Sequence, residues 1–168
     1  SDAQIELTMN RWLKILAQHI QVDSAEIFQL QADTDKMNVA VEWLAPGQIS
    51  YFDKTSGIPV NSFLHTEKPL VGSTDSVGKE DSEEIEKIGM KAVMFFPILK
   101  QESGNMMLSL NHRRQAHVWS MSEIKFTSDA VKILQSILTR RIQKNSLAGS
   151  YAALEEILDN VGCAIYVT

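Results

Sequence analysis

Apolar side chains between Ile5 and Ile20 recur at intervals of three and four residues, with polar residues between them. This spacing places them on one face of an α-helix. The segment from Ile124 to Ile142 has the same spacing and follows Ser120-Met121-Ser122-Glu123, the pattern of a capping box. The sequence therefore predicts an amphipathic N-terminal helix and a long exit helix that begins after Ser120.

Alternating apolar and polar positions predict strands between these helices. Met37–Leu44 and Asn105–Asn111 alternate with a period of two, as half-buried strands do. Ala92–Leu99 is apolar on both parities, which favours a central strand covered on both faces. A short apolar run at Ile27–Leu30 completes the first of two hairpins, with Asp33-Thr34-Asp35 as its turn.

The long connection from Gln48 to Gly78 shows no sustained periodicity except near Val60–Thr66, where a short helix is predicted. Connections of this length inside a domain often carry function. The acidic segment Glu80–Lys87 follows and predicts a short surface helix, ended by Gly89 at the position of a C-cap glycine.

The C-terminal part of the chain predicts a helix of another kind. Its apolar residues are spaced by four, three, four and three residues, as along a coiled-coil seam, at Leu147, Tyr151, Leu154, Leu158 and Val161. Arg140, Arg141 and Lys144 interrupt this seam on the side of the preceding helix. The final run, Cys163–Thr168, has the composition of a strand.

These patterns divide the chain into parts. The chain lacks an initiator Met and ends on a strand without a pairing partner, so we expect it to be a piece of a longer protein. We expect a domain at 1–147, a linker helix at 148–162, and the first strand of a following domain at 163–168.

Composition limits the possible functions. The chain has 168 residues, 44% hydrophobic and 22% charged, which suffices for one folded domain and excludes two enzyme domains. A formal net charge of -5 has the wrong sign for bulk binding of nucleic acid or anionic lipid. The single cysteine, Cys163, excludes an internal disulfide and a Cys-based zinc cluster. No apolar run approaches membrane-helix length, so we expect a cytoplasmic chain.

Three passages resemble the GAF domain family. The first is Val39–Trp43, similar to the family's second strand with its terminal Trp. The second is Glu67–Val71 leading to Asp75, similar to its edge strand and the Asp that follows. The third and longest starts at Gly89–Ile98, continues through a hairpin, and passes through His117–Ser120 into the exit helix.

The resemblance covers about Ile5 to Lys144 and implies an α+β fold. In that fold, an antiparallel sheet carries the N- and C-terminal helices on one face and a ligand pocket on the other, roofed by the long crossover. The tail, Leu154–Thr168, resembles the start of a PAS domain, where a helix is followed by an apolar strand. The resemblance also implies a regulatory role.

Several activities known for proteins with the GAF fold require residues that this chain lacks. Methionine sulfoxide reduction needs thiolates within the domain, and covalent bilin attachment needs a pocket cysteine, whereas Cys163 lies in the tail. Asp75, Asp81 and Glu84 do not reproduce the spacing of the cyclic-nucleotide-binding constellation. The four histidines are too scattered for a metal signature, which also disfavours haem.

Candidate ligand-binding residues come from the segments that would line the GAF pocket. Aromatic walls with a few polar groups suit a small organic ligand, whose identity the sequence leaves unknown. Core packing is the alternative for these aromatics and is favoured at Phe95 or Phe96. The runs His112-Arg113-Arg114 and Arg140-Arg141 are interpreted as solvated turn and helix faces. The predicted ligand-binding residues are Trp43, Tyr51, Phe52, Phe63, His65, Asp75 and Phe95.

Both terminal helices have more apolar surface than one sheet face needs, which favours a parallel homodimer through them. Its predicted interface is Trp12, Leu16, Val131, Leu134 and Leu138. We expect a non-catalytic sensory domain that relays ligand binding through the exit helix to a PAS domain. A cyclic-di-GMP synthase or phosphodiesterase, or a histidine kinase, would follow. The alternative is a ligand-free structural dimerisation module, and neither nucleic acid nor membrane is an expected partner.

Overall fold

A computed structural model describes residues 2–30, 36–52, 58–59, 68–101 and 104–166 of the chain. In chain order the elements are α1 (Asp2–Ile20), β1 (Ser24–Leu30), β2 (Lys36–Leu44), β3 (Ile58–Pro59), β4 (Leu70–Ser73), α2 (Lys79–Lys87), β5 (Ala92–Gln101), β6 (Gly104–His112) and α3 (Met121–Tyr166). These elements confirm the predicted terminal helices, both hairpins and the acidic helix α2. The helix predicted near Val60–Thr66 and the turn at Asp33–Asp35 lie outside the described residues.

The strands form one antiparallel sheet in the order β3-β2-β1-β6-β5-β4. β1 and β6 are adjacent at its centre, with Ser24 opposite Asn111 and Ile27 opposite Leu108. β2 pairs with β1 on one side, and the pairing shifts between Ile27 and Phe28. The sheet thus joins residues that are far apart in the sequence.

The sheet has two buried faces, which we name the α2 face and the α1 face. Successive side chains of a strand point to opposite faces, so β1 directs Glu26 and Phe28 to the α2 face and Ala25 and Ile27 to the α1 face. On the α2 face, Phe28 belongs to an apolar cluster with Ile85 of α2. Helix α1 lies against β1 and β2, and the Trp12 indole donates a hydrogen bond to the Ala130 carbonyl, so α1 and α3 are neighbours.

The start of α3 is fixed by specific hydrogen bonds. The backbone N–H of Glu123 donates to Ser120 Oγ (3.1 Å), and the backbone N–H of Ser120 donates to Glu123 Oε1 (2.8 Å), which confirms the predicted capping box. The indole of Trp119 donates to the carbonyl of Gly72 in β4 (3.1 Å). These bonds tie the beginning of the exit helix to the sheet.

The C-terminal segment differs from the expectation. α3 continues to Tyr166, so Cys163–Tyr166 are helical and do not begin a strand. A helix satisfies its backbone N–H and C=O groups within the segment, whereas a strand needs a neighbouring strand to do so. The PAS-like start is not confirmed, and the domain boundaries expected at 147/148 and 162/163 stay predictions.

The chain forms two compact units. The first, Ser1–Leu134, contains the sheet, α1, α2 and the beginning of α3, and the second, Gln135–Thr168, contains the rest of α3. Among the described residues, no helix combines the length and apolar character needed to cross a bilayer.

Candidate functional site

A group of buried polar side chains lies at one end of the α2 face. We name it the polar cluster, and its members come from β1, from β6 and from the residue after β6: Ser24, Glu26, Ser109, Asn111 and Arg113. The strand register places Ser24 opposite Asn111 and Glu26 opposite Ser109. All five residues are at most 6% exposed. Burial of this kind is costly unless the groups are hydrogen-bonded, so their contacts decide what the cluster can do.

Asn111 is the centre of the hydrogen-bond network. Its Nδ2 donates to Glu26 Oε2 (2.5 Å) and to Ser24 Oγ (3.2 Å), and its Oδ1 accepts a bond from Ser109 Oγ (2.6 Å). Ser24 Oγ also accepts a bond from Arg113 Nε (3.1 Å). The Asn111 amide therefore fixes one oxygen of Glu26, and Ser24 holds one edge of Arg113.

Arg113 and Glu26 leave one polar atom each without a hydrogen bond. Arg113 Nη2 lies 3.5 Å from Glu26 Oε1, and their side chains are 1% and 0% exposed. Neither atom has a hydrogen-bond partner among the described residues. Buried polar atoms are nearly always hydrogen-bonded, so a facing donor and acceptor that make only a long ion-pair contact indicate an interaction that another molecule could complete.

Tyr51 covers the guanidinium of Arg113. The Cζ atom of Arg113 lies 3.8 Å from the centre of the Tyr51 ring, a cation–π contact, and Arg113 Nη1 donates to the carbonyl of Ile49 (2.5 Å). Tyr51 is itself 48% exposed. Its ring therefore separates a buried cation from solvent.

Burial raises the pKa of Glu26 to about 8. The positive charge of Arg113 opposes this shift, and the nearby carboxylate of Glu42 adds to it. Burial prevails because the contact with Arg113 is long and one carboxyl oxygen has no hydrogen bond. Glu26 therefore holds a proton to higher pH than a solvated glutamate does, and in its protonated form it can donate a hydrogen bond.

The rest of the α2 face beside the cluster is apolar and aromatic. Phe28 meets Phe52 edge to face, with ring centres 5.3 Å apart. Phe95 is 2% exposed in the same apolar cluster as Phe28. One surface thus combines an aromatic floor with a few convergent polar groups, the composition typical of sites for small organic molecules.

The structure brings together some of the predicted ligand-binding residues. Tyr51, Phe52 and Phe95 lie on the α2 face, as described above. Trp43 pairs with Ala25 and therefore points to the α1 face, away from these three residues, and its role in binding stays a prediction. Asp75 is exposed in the turn between β4 and α2. Phe63 and His65 lie outside the described residues.

Glu26 is not among the residues predicted from the sequence, and Arg113 was predicted to lie on a solvated turn. The interpretation of a solvated turn holds for Arg114, whose side chain is 71% exposed, and is wrong for Arg113. The available signal was the alternation Ser109, Asn111, Arg113, which places polar residues at every second position from the end of β6 into the residue that follows it.

Asp23 holds the segment that follows β6. Its carboxylate accepts hydrogen bonds from the backbone N–H of Arg113 (2.8 Å) and from the side chain of Arg114 (2.6 Å and 3.0 Å). Burial alone would raise the pKa of Asp23, but the hydrogen bonds from Arg114 and Arg113 outweigh it and lower the pKa. Asp23 thus stays ionised and positions Arg113 by its backbone.

A polar cleft of 410 Å³ lies beside Asp23, outside the α2 face. The rings of His112 and His117 are 4.3 Å apart there, and His117 Nε2 lies 2.9 Å from Glu123 Oε1. Burial lowers the pKa of His112. In the described part of the chain, no group of three His, Cys, Asp or Glu side chains could hold a metal ion. The cleft is lined by Gln21, Asp23, His112, Arg114, Gln115, Ala116 and His117.

The predicted dimer residues are mostly buried within the single chain. Leu16, Val131, Leu134 and Leu138 are between 0% and 4% exposed, so they do not form an open surface. The helical spacing identified an apolar row correctly but could not tell which row faces inward. Trp12 is partly exposed and lines a groove between α1 and α3.

Comparison with known proteins supports the fold. No family model and no curated protein matches the sequence. The chain is similar to the blue-light absorbing form of the Thermosynechococcus elongatus PixJ GAF domain, with a TM-score of 0.71 and 12% identity, over 88% of this chain and 92% of that one. It is also similar to the photoproduct state of GAF3 from Slr1393 of Synechocystis sp. PCC6803 (TM-score 0.64, 13% identity, 83% of this chain and 99% of that one).

A third similar structure is the chromophore-binding domain of the bacteriophytochrome RpBphP3 from R. palustris. Its TM-score is 0.63 at 15% identity, over 82% of this chain and 55% of that one. The chain therefore has the GAF fold. This confirms the predicted α+β architecture, an antiparallel sheet with helices at both ends of the domain.

Proposed function

We propose that this chain is a non-catalytic sensory domain that binds a small organic molecule on the α2 face. The ligand has an apolar or aromatic body and a polar end that accepts hydrogen bonds. The observation that carries the proposal is the buried pair Arg113 and Glu26, in which a donor and an acceptor lack hydrogen bonds although both side chains are at most 1% exposed.

The energetics of the polar cluster favour a role in binding over one in stability. A buried ion pair contributes little or nothing relative to well-packed apolar residues, because removing both charges from water offsets their attraction. The α1 face of the same strands is apolar at the corresponding positions, including Ala25, Ile27, Leu108 and Leu110. A wholly apolar α2 face was therefore physically available to this fold.

Binding requires Tyr51 to move, because its ring and the carbonyl of Ile49 cover Arg113. A ligand acceptor would then replace the cation–π contact, and the protonated Glu26 would donate a second hydrogen bond. The apolar body would lie over Phe28 and Phe52. A ligand stabilises such a rearranged state only by its differential affinity for it.

The signal would leave through β6 and α3. Arg113 directly follows β6, and residues 114–120 connect it to the capping box of α3. Trp119, in this connection, is hydrogen-bonded to Gly72 of β4. A shift of Arg113 would therefore act on the start of α3. We propose a PAS domain and an output domain for cyclic-di-GMP turnover or a histidine kinase downstream, as in other signalling proteins of this architecture.

A bilin is bound by several of the structures with this fold, for example the phycocyanobilin-bound GAF domain from a cyanobacterial phytochrome. The only cysteine of this chain is Cys163, in the second unit. Covalent attachment of a bilin in the sheet domain is therefore not part of the proposal.

Native mass spectrometry of the purified chain and thermal-shift measurements with a panel of aromatic carboxylic acids and amides test the function. We expect a bound mass or a rise in Tm. The rise should be lost in Arg113→Lys, whose side chain lacks the planar fork of donors, and kept in the matched control Arg114→Lys. A wild-type protein without a bound mass and without any shift contradicts the proposal and favours the ligand-free structural module.

A further inference from the structure

Three aromatic rings meet where β6 ends and α3 begins. His112 is the last residue of β6, and His117 and Trp119 belong to the connection that leads to α3. The ring centre of His112 lies 4.3 Å from that of His117 and 5.0 Å from that of Trp119, and the last two are 4.8 Å apart. These three rings, here called the ring cluster, hold the connection against the end of the sheet.

The ring cluster and the capping box of α3 share one carboxylate. His117 Nε2 lies 2.9 Å and 3.1 Å from the two oxygens of Glu123. Glu123 Oε1 also accepts the backbone N–H of Ser120 (2.8 Å). Trp119, directly before Ser120, is hydrogen-bonded to Gly72 of β4. A change in the ring cluster therefore reaches the first turn of α3 through direct contacts.

His112 fits the ring cluster as a neutral ring. Its Nε2 atom is buried and has no hydrogen-bond partner among the described residues. A neutral imidazole can present this nitrogen as an unprotonated acceptor, whereas an imidazolium has a proton on both nitrogens and would bury an unpaired charged donor. A protonated His117 keeps Glu123 as its counter-ion, but it would repel a second positive charge on His112.

The surroundings of His112 disfavour its charged form on balance. Burial and the neighbouring His117 lower the pKa of His112, while the carboxylates of Asp23 and Glu123 oppose this shift. Both carboxylates already accept several hydrogen bonds, as described above, so their attraction does not prevail. The charged and titratable groups around His112 are His117, Arg114, Asp23, Glu123 and, before β5, Lys91 paired with Glu86.

We propose that the ring cluster is a proton-sensitive contact, which holds the start of α3 on the sheet while His112 is neutral and releases it when His112 takes up a proton. The polar cleft of 410 Å³ beside the cluster is lined by both His112 and Asp23, so it offers the charged ring solvent and a carboxylate. The release takes place within the first unit and needs no ligand on the α2 face.

Proton linkage sets the direction of the effect. A released His112 has the ordinary pKa of 6.5, and its pKa in the ring cluster is lower. The released state therefore binds the proton more tightly, and acidification below 6.5 favours release by up to about tenfold per pH unit.

NMR of the full chain tests the release. The indole N–H signal of Trp119, assigned with Trp119→Phe, should change as the pH falls from 8 to 5. Its midpoint should lie below 6.5 and coincide with that of the His112 ring signal. The indole signal of Trp12, which donates to Ala130, should not follow this midpoint. After correction for the intrinsic rate, exchange of the Ile124 amide should accelerate over the same interval.

Replacement of single histidines identifies the titrating group. His112→Phe keeps an aromatic ring without a titrating nitrogen, so the pH response of Trp119 should be lost. His19→Phe is the matched control, because His19 stacks on Phe126 and is not part of the ring cluster, and the response should be unchanged. His117→Gln can still donate a hydrogen bond but carries no charge, so the midpoint should move to higher pH.

Three results would overturn the proposal. The first is a wild-type Trp119 signal that does not change between pH 8 and 5. The second is a response that persists in a folded His112→Phe variant. The third is a difference between the Trp119 and His112 midpoints in the wild type, a comparison that does not depend on the folding of any variant.

Discussion

The two faces of the sheet use the same strands and differ at alternate residues. On the α1 face, Ala25, Ile27, Leu108 and Leu110 are all apolar and 0% exposed. On the α2 face, the neighbouring positions hold Glu26, Ser109 and Asn111 at one end and Phe28 at the other. Apolar packing is enough to explain the α1 face. The buried polar side chains of the α2 face need another reason, and the proposed ligand site would supply it.

The largest effect is expected on the α1 face. Leu110→Ala should lower the free energy of unfolding by about 2–5 kcal/mol, because it leaves a cavity at a fully buried position. Urea denaturation measures this change. Val118→Ala, at a position that is 88% exposed, should change stability by less than about 0.5 kcal/mol. Similar losses in both variants would mean that the α1 face is not the core described here.

The polar cluster should respond differently to single and double replacement. Arg113→Met should cost about 1–3 kcal/mol, mainly because it leaves the buried carboxyl group of Glu26 without the guanidinium that faces it. Combining it with Glu26→Leu should recover most of that loss, since apolar pairs often replace buried ion pairs without penalty. Urea denaturation of the two variants measures the recovery. A double variant less stable than Arg113→Met would show that the cluster is needed for the fold.

Stability of the wild type should depend on the ionisation of Glu26. Its pKa is about 8 in the folded state, against an ordinary value of 4.5 for a solvated glutamate, so between these values the folded state binds more protons. The free energy of unfolding should therefore fall as the pH rises through this interval, by up to about 1.4 kcal/mol per pH unit.

Glu26→Gln separates this effect from the titration of other groups. His112 has a lowered pKa, so its contribution to stability increases with pH near 6.5 and opposes that of Glu26. Both proteins contain His112, so the difference between their stability profiles isolates Glu26. We expect that difference to grow in favour of the Gln variant from about pH 5 to pH 8. Parallel profiles would place the pKa of Glu26 near its ordinary value.

The smallest effect on stability is expected at the capping box of α3, whose polar groups contribute to the fold and not to the proposed ligand site. Ser120→Ala removes the hydroxyl that accepts the N–H of Glu123, and it should cost about 1 kcal/mol. A thermal denaturation curve measures this. The ligand-induced rise in Tm should stay the same, in contrast to the Arg113 variants. A lost ligand response would extend the binding site to the start of α3.

The periodicity of the sequence predicted the helices and most strands because each depends on local spacing. The face on which Trp43 lies could not be predicted, for a local reason of another kind. Val39, Val41 and Trp43 share one parity, but the pairing of β2 with β1 shifts beside Ile27 and Phe28. Val39 therefore packs on the α2 face, while Val41 and Trp43 lie opposite Ile27 and Ala25. A bulge of this type reverses the side-chain faces beyond it.

The polar cluster could not be predicted from local pattern. Its hydrogen bonds join β1 to β6 and Arg113 across more than 80 positions of the chain, for example Asn111 to Glu26 with a separation of 85. Only the order of the strands and their register bring these residues together. A related difficulty applies to helix α3, which has two apolar rows one residue apart. The sequence alone does not tell which of these rows is buried, whereas the structure shows that Val131 and Leu134 are buried and Ile133 is exposed.

Gly89 lies against the Tyr51 ring that covers Arg113 of the polar cluster. Gly89 follows helix α2 and has a φ of +77°, in the left-handed region. A Cβ atom at this position would lie 2.8 Å from two carbons of the Tyr51 ring. A side chain at position 89 would therefore force a shift of the ring that stacks on Arg113. A substitution there would disturb the cover of the polar cluster without changing any charged group, which separates the geometry of the site from its electrostatics.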